Sequence, residues 1–150
     1  MWPIIAVVLL AGCAVYPPPG PPAAVVPDLR GTWSGTWGGT PVSVVVAEQQ
    51  LGHGESGLVL GPWQVLGERY PRATGVLTSS INGHMVSTHM TGVLSDSGAG
   101  PILTLQATGT SAGDQWMRLR IVDEERLEGM GESQHGWGPR GPVQLVRRRS

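Results

Sequence analysis

The stretch TGVLTSSINGHMVSTH, residues 74 to 89, decides the fold. Two runs of apolar, β-branched and hydroxyl residues meet at Asn82-Gly83, the dipeptide that accepts positive φ at both central positions of a type I′ turn. A two-residue turn fixes the register. It sets Ile81 opposite His84, Ser79 opposite Val86 and Leu77 opposite Thr88 on one face, and puts Thr78, Ser80, Met85, Ser87 and His89 on the other. The first face is the more apolar and is expected to point inward. Ser79, His84 and Thr88 then become candidate ligand-lining residues, since a polar group turned into a core needs a hydrogen-bond partner, a water or a ligand.

The same grammar extends in both directions. Strand-like runs occupy residues 31–37, 42–49, 58–66, 74–81, 84–94, 102–110, 115–122, 126–133 and 143–148, separated by short clusters rich in Gly, Pro, Ser and Asp. Residues 115–122 alternate cleanly, with Met117, Leu119 and Ile121 on one face and Trp116, Arg118 and Arg120 on the other. TGVLTSS at 74 and TGVLSDS at 91 repeat after 17 residues, a spacing that suits successive hairpin arms. No segment sustains a helical period over several turns. The expectation is an all-β, antiparallel up-and-down meander that closes into a small barrel of about eight or nine strands, because closure removes exposed edges. A β-sandwich is the alternative.

The chain has 150 residues, enough for one domain, and a formal net charge of -1 that offers no field for steering nucleic acid. Nucleic acid is therefore not an expected partner. All ten basic residues are arginine, phenylalanine is absent and Asn82 is the only asparagine, a bias of composition that points to no particular chemistry.

Residues 1 to 16 carry no charged side chain, but the run is shorter than the roughly 20 residues a spanning helix needs, and Pro17 ends it. Its length suits the hydrophobic segment of a signal peptide. Leu10-Ala11-Gly12-Cys13 resembles the lipobox of bacterial lipoproteins, in which small residues admit the processing peptidase and the cysteine becomes the acylated first residue. The resemblance implies a signal peptide over 1–12 and lipidation, palmitate included, at Cys13. It implies a membrane partner through that anchor, and a cell-envelope location on the outer membrane facing the periplasm. Cys13 is the only cysteine, so an internal disulfide is excluded. Residues 13–28 then comprise the lipidated cysteine and a proline-rich tether, extended at about 3.1 Å per residue and able to hold a domain up to roughly 40 Å from the bilayer. Residues 29–150 form the barrel domain.

Within that domain, Leu29-x-Gly31-x-Trp33 opens the first strand and Arg147 or Arg148 ends the last. The pattern resembles the signature of the calycins, the lipocalin and avidin-like barrels. The resemblance implies that Trp33 packs near one barrel end beneath a late basic residue, a cation-π contact of about 0.5 to 2 kcal/mol. Gly31, Trp33, Arg147 and Arg148 are thus structural, and Trp37 is expected to share the face and role of Trp33.

Catalytic chemistry finds little support. Residues 52–57 match GxGxxG, but a strand follows where a phosphate-binding loop requires a helix, so a plain hairpin loop is expected. There is no G-x-S-x-G elbow, and the only cysteine is assigned to the anchor. His84 and His89 lie five apart on one strand and face opposite ways. In a meander of nine strands the loops 50–57, 82–83, 111–114 and 132–142 share one rim. That rim would gather His53, Glu55, His84, Asp114, Glu132 and His135 beside Trp137. His53, His84 and His135 are accordingly the candidate metal ligands, imidazole being suited to Zn or Cu, although their spacing matches no metal motif. Asp123-Glu124-Glu125 reads as a solvated turn at the other end.

Taken together, these features describe an envelope lipoprotein, not an enzyme and without a cofactor. Its barrel binds a small apolar or amphipathic ligand or docks to another envelope protein. A structural or hydrolase-inhibitor-like protein is one alternative, and a metal-binding protein or enzyme using the histidine-rich rim is the other.

Overall fold

The Asn82-Gly83 turn forms with φ of 52° and 78°, and the register across it is the expected one, from Ile81 opposite His84 to Leu77 opposite Thr88. The structure, a computed structural model, describes residues 27–50, 59–60, 63–64 and 72–149. Ten strands are described: β1 Gly31–Trp37, β2 Thr40–Gln50, β3 Val59–Leu60, β4 Trp63–Gln64, β5 Arg72–Ile81, β6 His84–Asp96, β7 Pro101–Thr110, β8 Gly113–Asp123, β9 Arg126–Ser133 and β10 Gly141–Arg147. Eight of them close a barrel in the order β1-β10-β9-β8-β7-β6-β5-β2, all pairs antiparallel. The seam is β1 on β10, from Trp33 opposite Arg147 to Trp37 opposite Val143. Its presence rules out the sandwich.

The run 58–66 is not a barrel strand. Val59–Leu60 and Trp63–Gln64 form a separate two-stranded sheet, and β2 passes the ladder directly to β5 through Gln50 opposite Arg72. Gly61-Pro62 interrupts the run, and a proline has no N–H for a central ladder. The strand count is therefore eight.

Inward and outward positions alternate as the pleat requires. On β8, Gln115, Met117, Leu119 and Ile121 are buried while Trp116, Arg118 and Arg120 are exposed. A continuous core of Leu29, Trp33, Trp37, Val44, Leu77, Met90, Leu105, Met117, Leu127, Leu145 and their neighbours occupies the interior, each large side chain contributing about 1.5 to 3 kcal/mol by leaving water. The outward positions of β8 and β9 carry Arg118, Arg120, Arg126, Glu128 and Glu132. On β8 and β9 an apolar inside and a charged outside reverse the pattern of a membrane-spanning barrel.

Strong coiling of the sheet depends on glycine. At Gly35, Gly75 and Gly129 an added Cβ would lie 1.8 to 1.9 Å from a carbonyl oxygen of the neighbouring strand, that of Gln144, Val45 and Arg118 respectively. These are places where two backbones approach too closely for any side chain.

Candidate functional site

Both barrel ends are closed by the chain itself. At the end where β1 begins, Leu29 and Trp33 are fully buried, and Trp33 Nε1 donates to the Leu29 carbonyl at 2.8 Å. The Arg147 guanidinium lies 4.5 Å above the Trp33 ring. It donates to the carbonyls of Arg30 at 2.8 Å, Asp28 at 2.5 Å and Glu124 at 2.8 Å. Gln49 adds two bonds, accepting from Leu29 N and donating to the Pro27 carbonyl. One arginine thus latches the entering segment over the barrel mouth. Of the two candidate arginines Arg147 takes this place, while Arg148 reaches outward to the Ser34 hydroxyl. Gly31 opens β1 with φ of 128° beneath the same guanidinium. At this rim the Asp28 carboxyl is lowered to about 2, first by side-chain hydrogen bonds from Arg30, then by the Arg30 backbone N–H.

The opposite end is covered by the connection from β9 to β10, residues 134–140. Gln134 N donates to the Asp114 carbonyl and His135 N to that of Ala112, so the segment docks on the β7–β8 turn. His135 stacks on Trp137 with centroids 4.6 Å apart, and Trp137 Nε1 donates to the Ser111 carbonyl. Beneath this cover runs a chain of buried polar groups. Ser79 donates to Gln115 Oε1 at 3.2 Å, Gln115 Nε2 to Ser133 Oγ at 3.0 Å, and Ser133 to the Pro139 carbonyl at 2.8 Å. Ser79, a candidate ligand-lining residue, is buried with these partners; Thr88 is half-buried and His84 is exposed at the rim. Gln115 and Ser133 went unnoticed in the sequence. A polar residue at the inward parity of the strand that carries Met117, Leu119 and Ile121 was the available signal for Gln115.

One interior group stays unpaired. Trp37 is fully buried with its ring against Gly131, where a Cβ would come within 2.6 Å of Nε1, and that N–H has no acceptor among the described residues. Trp37 shares the face of Trp33 but not its hydrogen bond.

The expected histidine rim does not assemble among the described residues. His84 and His135 lie at the covered end, with Asp114, Glu132 and Trp137, but Gln50, after which the stretch with His53 and Glu55 begins, lies at the other end. Counting 58–66 as a strand that crosses the barrel is what set the end of β2 at the rim of His84; with β2 paired to β5, Gln50 ends at the opposite rim. His53 and Glu55 themselves, like Leu10, Ala11, Gly12, Cys13 and the tether to residue 26, lie outside the described residues. No group of three His, Cys, Asp or Glu suited to a metal occurs among the described residues. Asp123, Glu124 and Glu125 form the exposed β8–β9 turn at the latched end, where the Asp123 carboxylate accepts from Glu125 N.

The outer surface is divided. Outward residues of β1, β5 from Thr74, and β6 to Ser95 are Ser, Thr, Val, Met and His, with no Arg, Asp or Glu. Charge collects on β8 and β9, where Arg120 and Arg126 both approach Glu128, at 3.8 and 3.7 Å. A shallow groove of about 490 Å³ crosses this face between Ile102, Arg118, Met130 and Pro142. The architecture defines the class: a closed eight-stranded antiparallel barrel with a side-chain core. Comparison with protein-family models, curated proteins and solved structures gives no match.

Proposed function

We propose that the protein is a lipid-anchored component of a bacterial cell envelope whose barrel works by docking, without catalysis. One observation carries this reading. The interior is occupied by the barrel's own side chains, its buried hydroxyl and amide groups bond one another, and each end is shut by a segment held with hydrogen bonds. A carrier of small molecules needs a cavity of some hundreds of cubic ångströms with an open mouth. A docking module needs a rigid body and an outer face, and here large apolar side chains stand exposed on the outside, Met85, Trp116, Met130 and Val146 among them. Leu10-Ala11-Gly12-Cys13 supplies the anchor and the proline-rich stretch the reach. Outer-membrane residence facing the periplasm, in a host that has an outer membrane, is supported by Ala14, which stands after the cysteine where an aspartate would favour inner-membrane retention. The place of Trp33 beneath Arg147 is what the calycin likeness requires, and it supports a distant kinship with those barrels.

A second reading, a small ligand inside the barrel, is favoured by Trp37 Nε1, which has no partner among the described residues, because a buried donor without an acceptor costs about 1 to 3 kcal/mol. The anchor is tested by mass analysis of the N-terminal peptide of the mature protein recovered from membranes. A peptide that begins at Cys13 and carries acyl mass is expected, and Cys13→Ala should abolish both that modification and cleavage before residue 13. An unmodified Cys13 on the mature protein would remove the lipoprotein assignment.

A further inference from the structure

We infer that the face formed by β8 and β9 is self-complementary and pairs with a second copy of the chain about a twofold axis. Trp116 stands opposite Glu132 and Arg118 opposite Met130, so these four outward residues form a tile with two corners on each strand. Neighbouring positions are about 4.8 Å apart across the strands and about 6.6 Å apart along them. Arg118 and Glu132 occupy one diagonal, Trp116 and Met130 the other.

Neither Arg118 nor Glu132 has an ion-pair or side-chain hydrogen-bond partner among the described residues, while the next row down the same strands, Arg120 with Glu128, is already paired. Trp116 is 41% and Met130 59% exposed, the latter the highest value of any large apolar side chain described. Now place a twofold axis in the plane of the contact along the Trp116–Met130 diagonal. The axis lays Trp116 on the partner's Trp116 and Met130 on the partner's Met130. It sets Arg118 over the partner's Glu132, and Glu132 over the partner's Arg118. Both unpaired charges are answered at once, which is the isologous pattern of a closed dimer. Trp, Met and Arg are also the residues in which interfaces are enriched. Pro142 and Ile102 extend the apolar surface around the tile and line the groove beside it.

The inference deepens the docking reading by naming a partner, and the two can fail separately. A ligand found inside the barrel would count against docking as the main role and leave the dimer to be judged by the following experiment. The full chain carrying Cys13→Ala, and so free of cysteine, receives Met130→Cys as an on-axis reporter and is treated in mild detergent with a bis-maleimide spanning about 8 to 13 Å, because sheets packed face to face stand about 10 Å apart and a direct disulfide needs Cα atoms within about 7 Å. Thioether-linked dimers are expected, and Trp116→Cys, the second on-axis position, serves if the first variant folds poorly. Thr74→Cys, on the uncharged face, is expected to give none. Adding Arg118→Glu or Glu132→Arg alone sets like charges face to face and should cut the crosslink at least about tenfold. Mixing these two single variants, or combining both changes in one chain, restores opposite charges and should restore the dimer. Absence of an on-axis crosslink, equal crosslinking from position 74, or a yield unmoved by the single reversals would each overturn the inference.

Discussion

Replacing Arg147 by alanine should open the latched end of the barrel. The guanidinium 4.5 Å over Trp33 contributes a cation-π term of about 0.5 to 2 kcal/mol. Its three bonds to the carbonyls of Arg30, Asp28 and Glu124 add about 1 kcal/mol each, less a discount because they are exposed to water. The expected loss is about 2 to 4 kcal/mol. For a domain of this size a kcal/mol moves Tm by about 3 to 5 °C, so the melting point should fall by about 6 to 20 °C. Arg147→Lys separates the terms, since a lysine keeps the charge near the ring but cannot reach three divergent carbonyls, and should recover about half of the loss. The assay is thermal and urea unfolding of the full chain, followed by circular dichroism and tryptophan fluorescence. A change below about 1 °C for Arg147→Ala, or a lysine variant as stable as the parent, would show that the latch does not hold this end.

Other perturbations test separate parts of the structure. Gly75→Ala forces a methyl into the Val45 carbonyl and should cost about 3 kcal/mol or more, whereas Gly136→Ala, with open space around its Cα, should stay within about 0.5 kcal/mol in the same urea titration. Trp33→Phe strands the buried Leu29 carbonyl but Trp37→Phe removes a donor that has no acceptor among the described residues, so the first should be the more destabilising by about 1 to 2 kcal/mol; the reverse order would point to an acceptor at Trp37. Asp28, held at about 2 by its bonds to Arg30, contributes stability that is fully present above its unfolded pKa near 4 and is lost as pH falls toward 2. The pair is exposed, so this contribution should be small and shrink with salt, and Asp28→Asn should flatten that part of the stability–pH curve.

The meander was legible because its signals are local. Asn82-Gly83 fixed one register, and the alternation in residues 115–122 fixed which side of β8 faces the core. Trp33 beneath Arg147 was anticipated from a resemblance of two short motifs, but periodicity alone could not choose between Arg147 and Arg148. That choice follows from the β1–β10 register, which sets Trp33 opposite Arg147. The stretch 58–66 misled because its composition is strand-like while its partner is decided elsewhere: β2 and β5 pair with each other and leave it outside. From that single miscount came the rim joining His53 to His84 and His135. The polar chain from Ser79 to Gln115 and Ser133 was hidden for a similar reason, since its members lie on three strands up to 54 residues apart and meet only when the barrel closes.

Native mass spectrometry of the full chain, compared with the same sample denatured, tests most directly whether the barrel is filled by its own residues. A covalent lipid at Cys13 persists in both spectra, so the difference reports only what is held without a bond. A docking module with its own core predicts equal masses per chain in the two states. A reproducible extra mass in the native spectrum, one per chain and lost on denaturation, would contradict it and make the interior around Trp37 a ligand site.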